Sequence, residues 1–266
     1  MTIGFNHLGR MGQLGNQMFQ YASLKGIAVN RGFSYIVPSH PETVVDVLGN
    51  HLRSELFTPF ETTIPMGFMR SDKYVQEPHY EFSQDLYDNC PDDVSIVGFF
   101  QTEKYFNHIS NIIKHDFTFR QTYRDPYEEV KDMFENPIAL HIRRGDFIKN
   151  YKNHHNLELS WYENALKQFD KDRQVIIFSD DTDWCKEQEL FSDDRFLACE
   201  IGDPYSELYI MTQCTDYIIA NSSFSWWGAW LSANENKKVI APSKWFGVNN
   251  QDKNTKDLFP EDWIVL

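Results

Sequence analysis
The chain has 266 residues, 41% of them hydrophobic and 15% aromatic, enough to bury a core in two modest α/β domains or one large one. A formal net charge of -14 repels a phosphate backbone and sets nucleic-acid binding aside. No stretch reaches the roughly 18 apolar residues of a membrane span, and Cys90, Cys185, Cys199 and Cys214 have neither C-x-x-C spacing nor a nearby histidine, so neither zinc nor a disulfide framework is indicated. A reducing, cytoplasmic setting is therefore expected, with loose contact to a membrane surface left open.

In chain order, residues 2–8 read as a strand, followed by Gly9, Gly12 and Gly15 and a helix carrying Met18, Phe19, Ala22, Leu24 and Ile27. Residues 33–37 predict a second strand that Pro38 ends. Between 41 and 93 the prolines at 41, 59, 65, 78 and 91 break every period, and only short helices and loops are expected there. Residues 94–100 predict a buried strand and 103–115 a helix. The polar stretch 121–136, with Pro126, reads as a linker or connecting helix, dividing the chain into domains 1–125 and 126–266.

After it comes P-I-A-L-H-I-R-R-G-D at residues 137–146, a short interior strand ending in two arginines and a glycine turn. A polar loop leads to Ser160, the expected N-cap of a helix over 161–169. Strands are then predicted at 174–179, 195–199, 217–220 and 238–241, and helices at 205–214 and after the serine-rich turn at 221–225. Strands alternating with helices imply α/β architecture with mostly parallel sheets, and the restart after 126 makes two facing Rossmann-like domains the economical arrangement.

Four sets of polar residues fall at predicted strand ends, where open α/β sheets bind ligands. The turn at 12–17, with Gly15 and Asn16, offers backbone approach and helix N–H groups to an anion, although many glycine turns bind nothing. Arg143 and Arg144 suit a phosphate because guanidinium forks donate in parallel pairs; the ordinary alternative is a salt bridge to a nearby carboxylate. Ser222, Ser223 and Ser225 could hold a phosphate or simply cap a helix. Glu207 could accept from the adjacent ring and exocyclic N–H groups of guanine, or be a solvated helix carboxylate. Asp180 and Asp181 lack a third ligand at metal spacing, which leaves ribose contact or capping. Neither a Walker A sequence nor G-x-G-x-x-G is present, which disfavours kinase and dehydrogenase chemistry. A nucleoside diphosphate site satisfies all four sets.

The order and spacing of G-x-L-G-N-Q-M-F-Q-Y-A from Gly12, H-I-R-R-G-D from His141 and N-S-S-F-S-W-W-G-A-W-L from Asn221 resemble the α-1,2-fucosyltransferase family. The resemblance implies a GT-B fold, GDP-β-L-fucose as donor, the 2-OH of a galactose-containing glycan as acceptor, inversion at the anomeric carbon, and no metal or other cofactor. It implies further that Arg143 holds the β-phosphate, that His141 lines the nucleotide pocket, that Glu207 reads guanine, that Ser222, Ser223 and Ser225 form the phosphate turn, and that Asn16 lies near the diphosphate. Gln13 departs from the arginine common in relatives, and Arg10 is the expected substitute. Asp146, His154 and Glu158 are the candidate bases. Two other readings stay open: a protein O-fucosyltransferase, disfavoured by unpaired cysteines and the lack of a secretion signal, and a non-catalytic GDP-sugar-binding protein. Trp226, Trp227 and Trp230 are expected to be core in either case.

Overall fold
The computed structural model describes residues 1–40, 42–46, 49 and 51–266, so Pro41 among the prolines above lies outside the described residues. The chain divides into one unit of Met1–Phe119 with Lys253–Pro260 and a second of Arg120–Asp252 with Glu261–Leu266.

The first unit contains, in chain order, β1 (Thr2–Gly4), α1 (Leu14–Arg31), β2 (Ser34–Ile36), β3 (Val44–Val45), β4 (His51–Leu52), β5 (Tyr74–Gln76), α2 (Gln84–Asn89), β6 (Val94–Val97) and α3 (Ser110–Asp116). Its sheet runs β2-β1-β6-β5 with every pairing parallel, while β3 and β4 form a small antiparallel ladder. Helix α1 stops at Gly32, whose φ of 65° closes the last turn through N–H bonds to the Ala28 and Val29 carbonyls.

The strand predicted to run to Phe100 ends at Val97. Phe100 takes a φ of 53°, and the Glu77 carboxylate accepts from the Phe99 and Phe100 N–H groups at 2.8 and 2.9 Å, bending the chain out of the sheet. The helix predicted at 103–115 is two 3-10 turns, Glu103–Tyr105 and Asn107–Ile109, before α3. Strand β5 gave no sequence signal because its three residues, Tyr74, Val75 and Gln76, are too few for a period and Pro78 follows closely.

The second unit contains α4 (Gln121–Val130), β7 (Ile138–Ile142), α5 (Gly145–Lys149), α6 (Leu159–Leu166), β8 (Val175–Ser179), α7 (Thr182–Lys186), β9 (Phe196–Ala198), α8 (Pro204–Thr212), β10 (Asp216–Ile218), α9 (Ser223–Leu231), β11 (Val239–Ala241) and β12 (Ile264–Val265). Its six strands are all parallel, in the order β12-β11-β10-β7-β8-β9. The expected division at 125/126 falls inside α4, which packs on α8 through Tyr123 against Tyr205 and Tyr127 against Tyr209. Helix α6 starts two residues earlier than read, with Glu158 rather than Ser160 at its N-cap.

Strand β7 is buried along its whole length. Ile138, Leu140 and Ile142 pack with Tyr162, Ala165 and Leu166 of α6 and Cys185 of α7, so the alternating residue His141 turns to the opposite face, toward α9. The chain goes outward from β7 through β8 to β9, then returns to the other side of β7 as β10. That reversal makes the carboxyl ends of β7 and β10 the switch point of this sheet, where open α/β sheets leave a crevice. In the first unit the same logic puts the switch point between β1 and β6.

Candidate active site
Because the strands of the second unit are parallel, everything following them lies at one edge. Across β10, β7, β8 and β9 stand Ser222, Arg143, Asp180 and the loop that leads to Glu207. Three inter-strand steps of about 4.8 Å make this row about 14 Å long, the scale of an extended nucleoside diphosphate.

At the switch point, His141 Nδ1 and the Ser225 hydroxyl share a hydrogen bond of 2.9 Å, joining β7 to α9. Burial, followed by the neighbouring Arg143 charge, pushes the imidazole well below its ordinary pKa and keeps it neutral. Ser225 is 0% exposed, and its hydroxyl also bonds the Ser222 carbonyl, so it supports the turn from beneath instead of lying on it. Ser222 and Ser223 are partly exposed, and Ser222 caps α9 by accepting from Phe224 N–H at 3.3 Å. The positive end of the α9 dipole thus opens at this turn. Asn221 is buried behind it, donating to the carbonyls of His155 and Trp245 at 2.8 Å each.

Arg143 donates through Nη2 to Asp146 at 2.6 Å and pairs through Nη1 with Asp180 at 3.0 Å, with 22% of its side chain exposed. The ordinary alternative for this arginine, a salt bridge, is therefore present, and it engages two carboxylates. Nε makes no hydrogen bond among the described residues. Arg144 does not join Arg143 in one fork. Its guanidinium lies 3.6 Å from the centre of the Trp184 ring and bonds Asp181 at 2.9 Å, because consecutive residues leaving a strand point to opposite sides. Asp180 also accepts from Arg144 N–H at 2.9 Å, and Asp181 caps α7. Gly145 is needed for space: a Cβ there would lie 2.4 Å from Asp180 Oδ2.

Glu207 occupies the first turn of α8 and accepts from Gly202 N–H at 3.0 Å. Burial raises its pKa to about 7 from an ordinary 4.5, so it is not the solvated carboxylate of the plain alternative. Of the candidate bases, Asp146 is held by Arg143, His154 stacks on Phe147 at 4.1 Å, and Glu158 is exposed.

In the first unit, the N-terminus expected to be open at α1 has one of its N–H groups taken. Leu14 N–H donates to Glu55 Oε2 at 2.8 Å, placing a carboxylate where an anionic ligand was anticipated. Glu55 lies 41 residues away in the unpatterned stretch, so no sequence signal marked it. Arg10, the expected substitute for the missing loop arginine, donates through both its terminal nitrogens to Glu42. Gly15 is buried, and Asn16 lies in the first helical turn with its Oδ1 accepting from Gln101 at 2.5 Å. Among the described residues, no group of three or more His, Cys, Asp or Glu side chains is arranged to hold a metal, and no helix is long and apolar enough to cross a membrane.

The family model described as Glycosyl transferase family 11 matches residues 2–266. The chain belongs to that family. Among family relatives, an alpha-1,2-colitosyltransferase of Escherichia coli is 29% identical over 96% of both chains. The O-antigen biosynthesis glycosyltransferase WbnK of Escherichia coli is 37% identical over 53% of this chain and 48% of its own length, so that match spans about half of the relative. Galactoside alpha-(1,2)-fucosyltransferase 2 of Sus scrofa is 24% identical over 86% of this chain and 70% of that protein. The fold is that of POFUT1 in complex with GDP, at a TM-score of 0.56 and 14% identity over 90% of this chain and 97% of that one. Membership of family 11 makes the chain a glycosyltransferase, and its fold is of the GT-B class, with two Rossmann-like units.

Proposed function
We propose that the chain transfers L-fucose from GDP-β-L-fucose to the 2-OH of a terminal galactose in a glycan, with inversion and without a metal ion. The observation that carries this reading is the row Ser222, Arg143, Asp180 and Glu207 across neighbouring strand ends, with the first two at the switch point. Breaking the bond between sugar and phosphate leaves negative charge on the β-phosphate and oxocarbenium character on the sugar. Arg143 and the N-terminus of α9 neutralise the first, doing the work of a cation in a site of fixed dipoles. Asp146 and Asp180 already hold Arg143, and because both carboxylates repel an arriving diphosphate, it is expected to displace at least one of them while also using the free Arg143 N–H groups. The acceptor hydroxyl attacks the opposite face of the sugar, and its proton passes to Asp146, His154 or Glu158, directly or through water. Acceptor choice falls to residues 41–93 and 147–159.

The relative named as a colitosyltransferase matches from end to end, so the sugar carried by GDP is the point to test first. The purified chain is to be incubated in EDTA with GDP-fucose or GDP-colitose and a panel of β-galactosides. Transfer from GDP-fucose with an α-1,2 linkage is expected. Exclusive use of GDP-colitose would change the donor, a need for added Mn²⁺ would remove metal independence, and transfer from UDP-sugars only would overturn the reading.

Glu207 adds a pH dependence. Only its ionised form accepts both guanine N–H groups, so GDP affinity is expected to be flat above pH 7 and to fall by up to about tenfold per unit below it. Folding responds in the opposite sense: a carboxyl with a raised pKa stabilises the protein most below its ordinary 4.5, and this contribution is lost as pH rises through 7. Titration calorimetry with GDP across pH 5.5–8.5 (roughly one to two units on either side of 7) checks this. In Glu207→Gln the profile should be flat and the affinity low throughout.

A further inference from the structure
At the switch point of the first unit, the loop after β1 and the loop after β6 are joined by side-chain amides. Gln20, fully buried in α1, donates to the Met11 carbonyl of one loop at 3.0 Å and to the Gly98 carbonyl of the other at 3.2 Å. Gln101 accepts from the Tyr80 hydroxyl and donates through Nε2 to Asn16 Oδ1 at 2.5 Å. Gln101 is itself 7% exposed, and Glu77 sets the turn that delivers it by gripping the Phe99 and Phe100 N–H groups.

The polarity of this relay is directional. In the structure the Tyr80 hydroxyl donates to the Gln101 oxygen and the Gln101 nitrogen donates to Asn16, so Asn16 presents its oxygen inward and its nitrogen elsewhere. That nitrogen lies against Gly12, where a Cβ would come within 2.2 Å of it, and it makes no hydrogen bond among the described residues. Gly12 has a φ of 84°, so glycine is needed twice over at this point, for conformation and for space.

We propose that Gln101 is a positioning residue which fixes the Asn16 amide with Nδ2 outward, as a donor for an oxygen acceptor on the substrates, either a phosphate oxygen of the nucleotide sugar or a hydroxyl oxygen of the glycan. This rests on the proposed transfer reaction for its ligand and on the geometry of the first unit for its mechanism. A simple staple between loops would need only some hydrogen bond at this place. A polarity device needs this donor and no other.

Two substitutions separate these roles. In Gln101→Glu the carboxylate still accepts from Tyr80, and Asn16 can bond it only by turning over, so the staple survives while an oxygen faces the ligand. In Gln101→Leu the staple is lost, but the Asn16 amide is free to select its donor orientation. Transfer is therefore expected to fall roughly 30-fold in Gln101→Glu with little change in melting temperature, and only a few-fold in Gln101→Leu. Asn16→Asp, which also presents an oxygen, should match Gln101→Glu. A loss confined to KM for the nucleotide sugar identifies a phosphate oxygen as the acceptor, and one in KM for the glycan identifies a hydroxyl. The reverse ranking, with Leu worse than Glu, contradicts the inference and leaves a staple.

Side-chain amide NMR gives a readout independent of turnover. The Asn16 amide protons, assigned by their loss in Asn16→Asp, should exchange quickly with solvent in the native chain and slowly in Gln101→Glu. Equal exchange in the two contradicts the inference even if transfer agrees. Absence of transfer by the native chain would instead refute the proposed reaction, while the exchange data still decide the role of Gln101.

Discussion

Arg143→Ala is expected to lower kcat/KM for transfer by roughly a thousandfold or more while leaving the fold intact. Among the described residues, it is the guanidinium that β7 delivers to the switch point of the second unit, because Arg144 is turned aside onto Trp184 and Asp181. Removing it deletes charge where the leaving diphosphate acquires it and leaves two carboxylates, Asp146 and Asp180, facing that group. Repulsion then adds to lost attraction. Stability should change little, because both carboxylates are about a quarter to a third exposed and can hydrate. Arg143→Lys should recover only part of the activity, since a point charge cannot donate in parallel pairs. Steady-state rates alongside a thermal melt check this, and near-native turnover in the alanine variant would refute it.

Trp227→Ala is expected to destabilise the protein by about 3–5 kcal/mol, the range for emptying a large aromatic site in a packed interior. Helix α9 carries the phosphate turn at its start and holds it in place by burying Trp226 and Trp227 completely, at 0% exposure. The two rings meet edge to face at 5.0 Å, Trp227 meets Trp230 at 5.2 Å, and Trp226 meets Trp263 at 5.5 Å. On the same helix, Gly228 lets α8 approach so closely that a Cβ would lie 2.2 Å from Met211 Sδ. Helices α8 and α9, bearing Glu207 and Ser222, are thus seated by one packing arrangement. Denaturant unfolding should show a loss of roughly this size in Trp227→Ala and a smaller one in Trp227→Phe; a loss below about 1 kcal/mol in the alanine variant would mean the ring is not structural.

Much of the second unit was legible in the sequence because its interior strands are short, mostly apolar runs, as parallel strands buried on both faces tend to be. Residues 138–142 and 175–179 are of this kind, and their ends locate Arg143 and Asp180 without further information. The rest depends on contacts between residues far apart in sequence. Nothing in R-R-G-D distinguishes the arginine that faces the switch point from the one that stacks on Trp184, 40 positions on. Nothing in S-S-F-S indicates that Ser225 is engaged by His141, 84 residues earlier. The glycine loop is silent in a related way, since nothing in the local sequence shows that Glu55, 41 residues on, accepts from Leu14 N–H at the helix start. Residues 103–109 failed as a continuous helix because Thr102 and Glu103 favour a cap and a tight turn, which the chain repeats before α3 begins.

The central claim is that Arg143 and the α9 turn hold the diphosphate of a GDP-sugar, and a crystal structure of the chain with GDP tests it most directly. Phosphate oxygens are expected within hydrogen-bonding distance of the Arg143 guanidinium and of the Ser222 and Ser223 turn, with at least one of Asp146 and Asp180 released from Arg143 and guanine on Glu207. Nucleotide bound away from the β7 and β10 strand ends, with Arg143 still clamped between both carboxylates, would contradict the account.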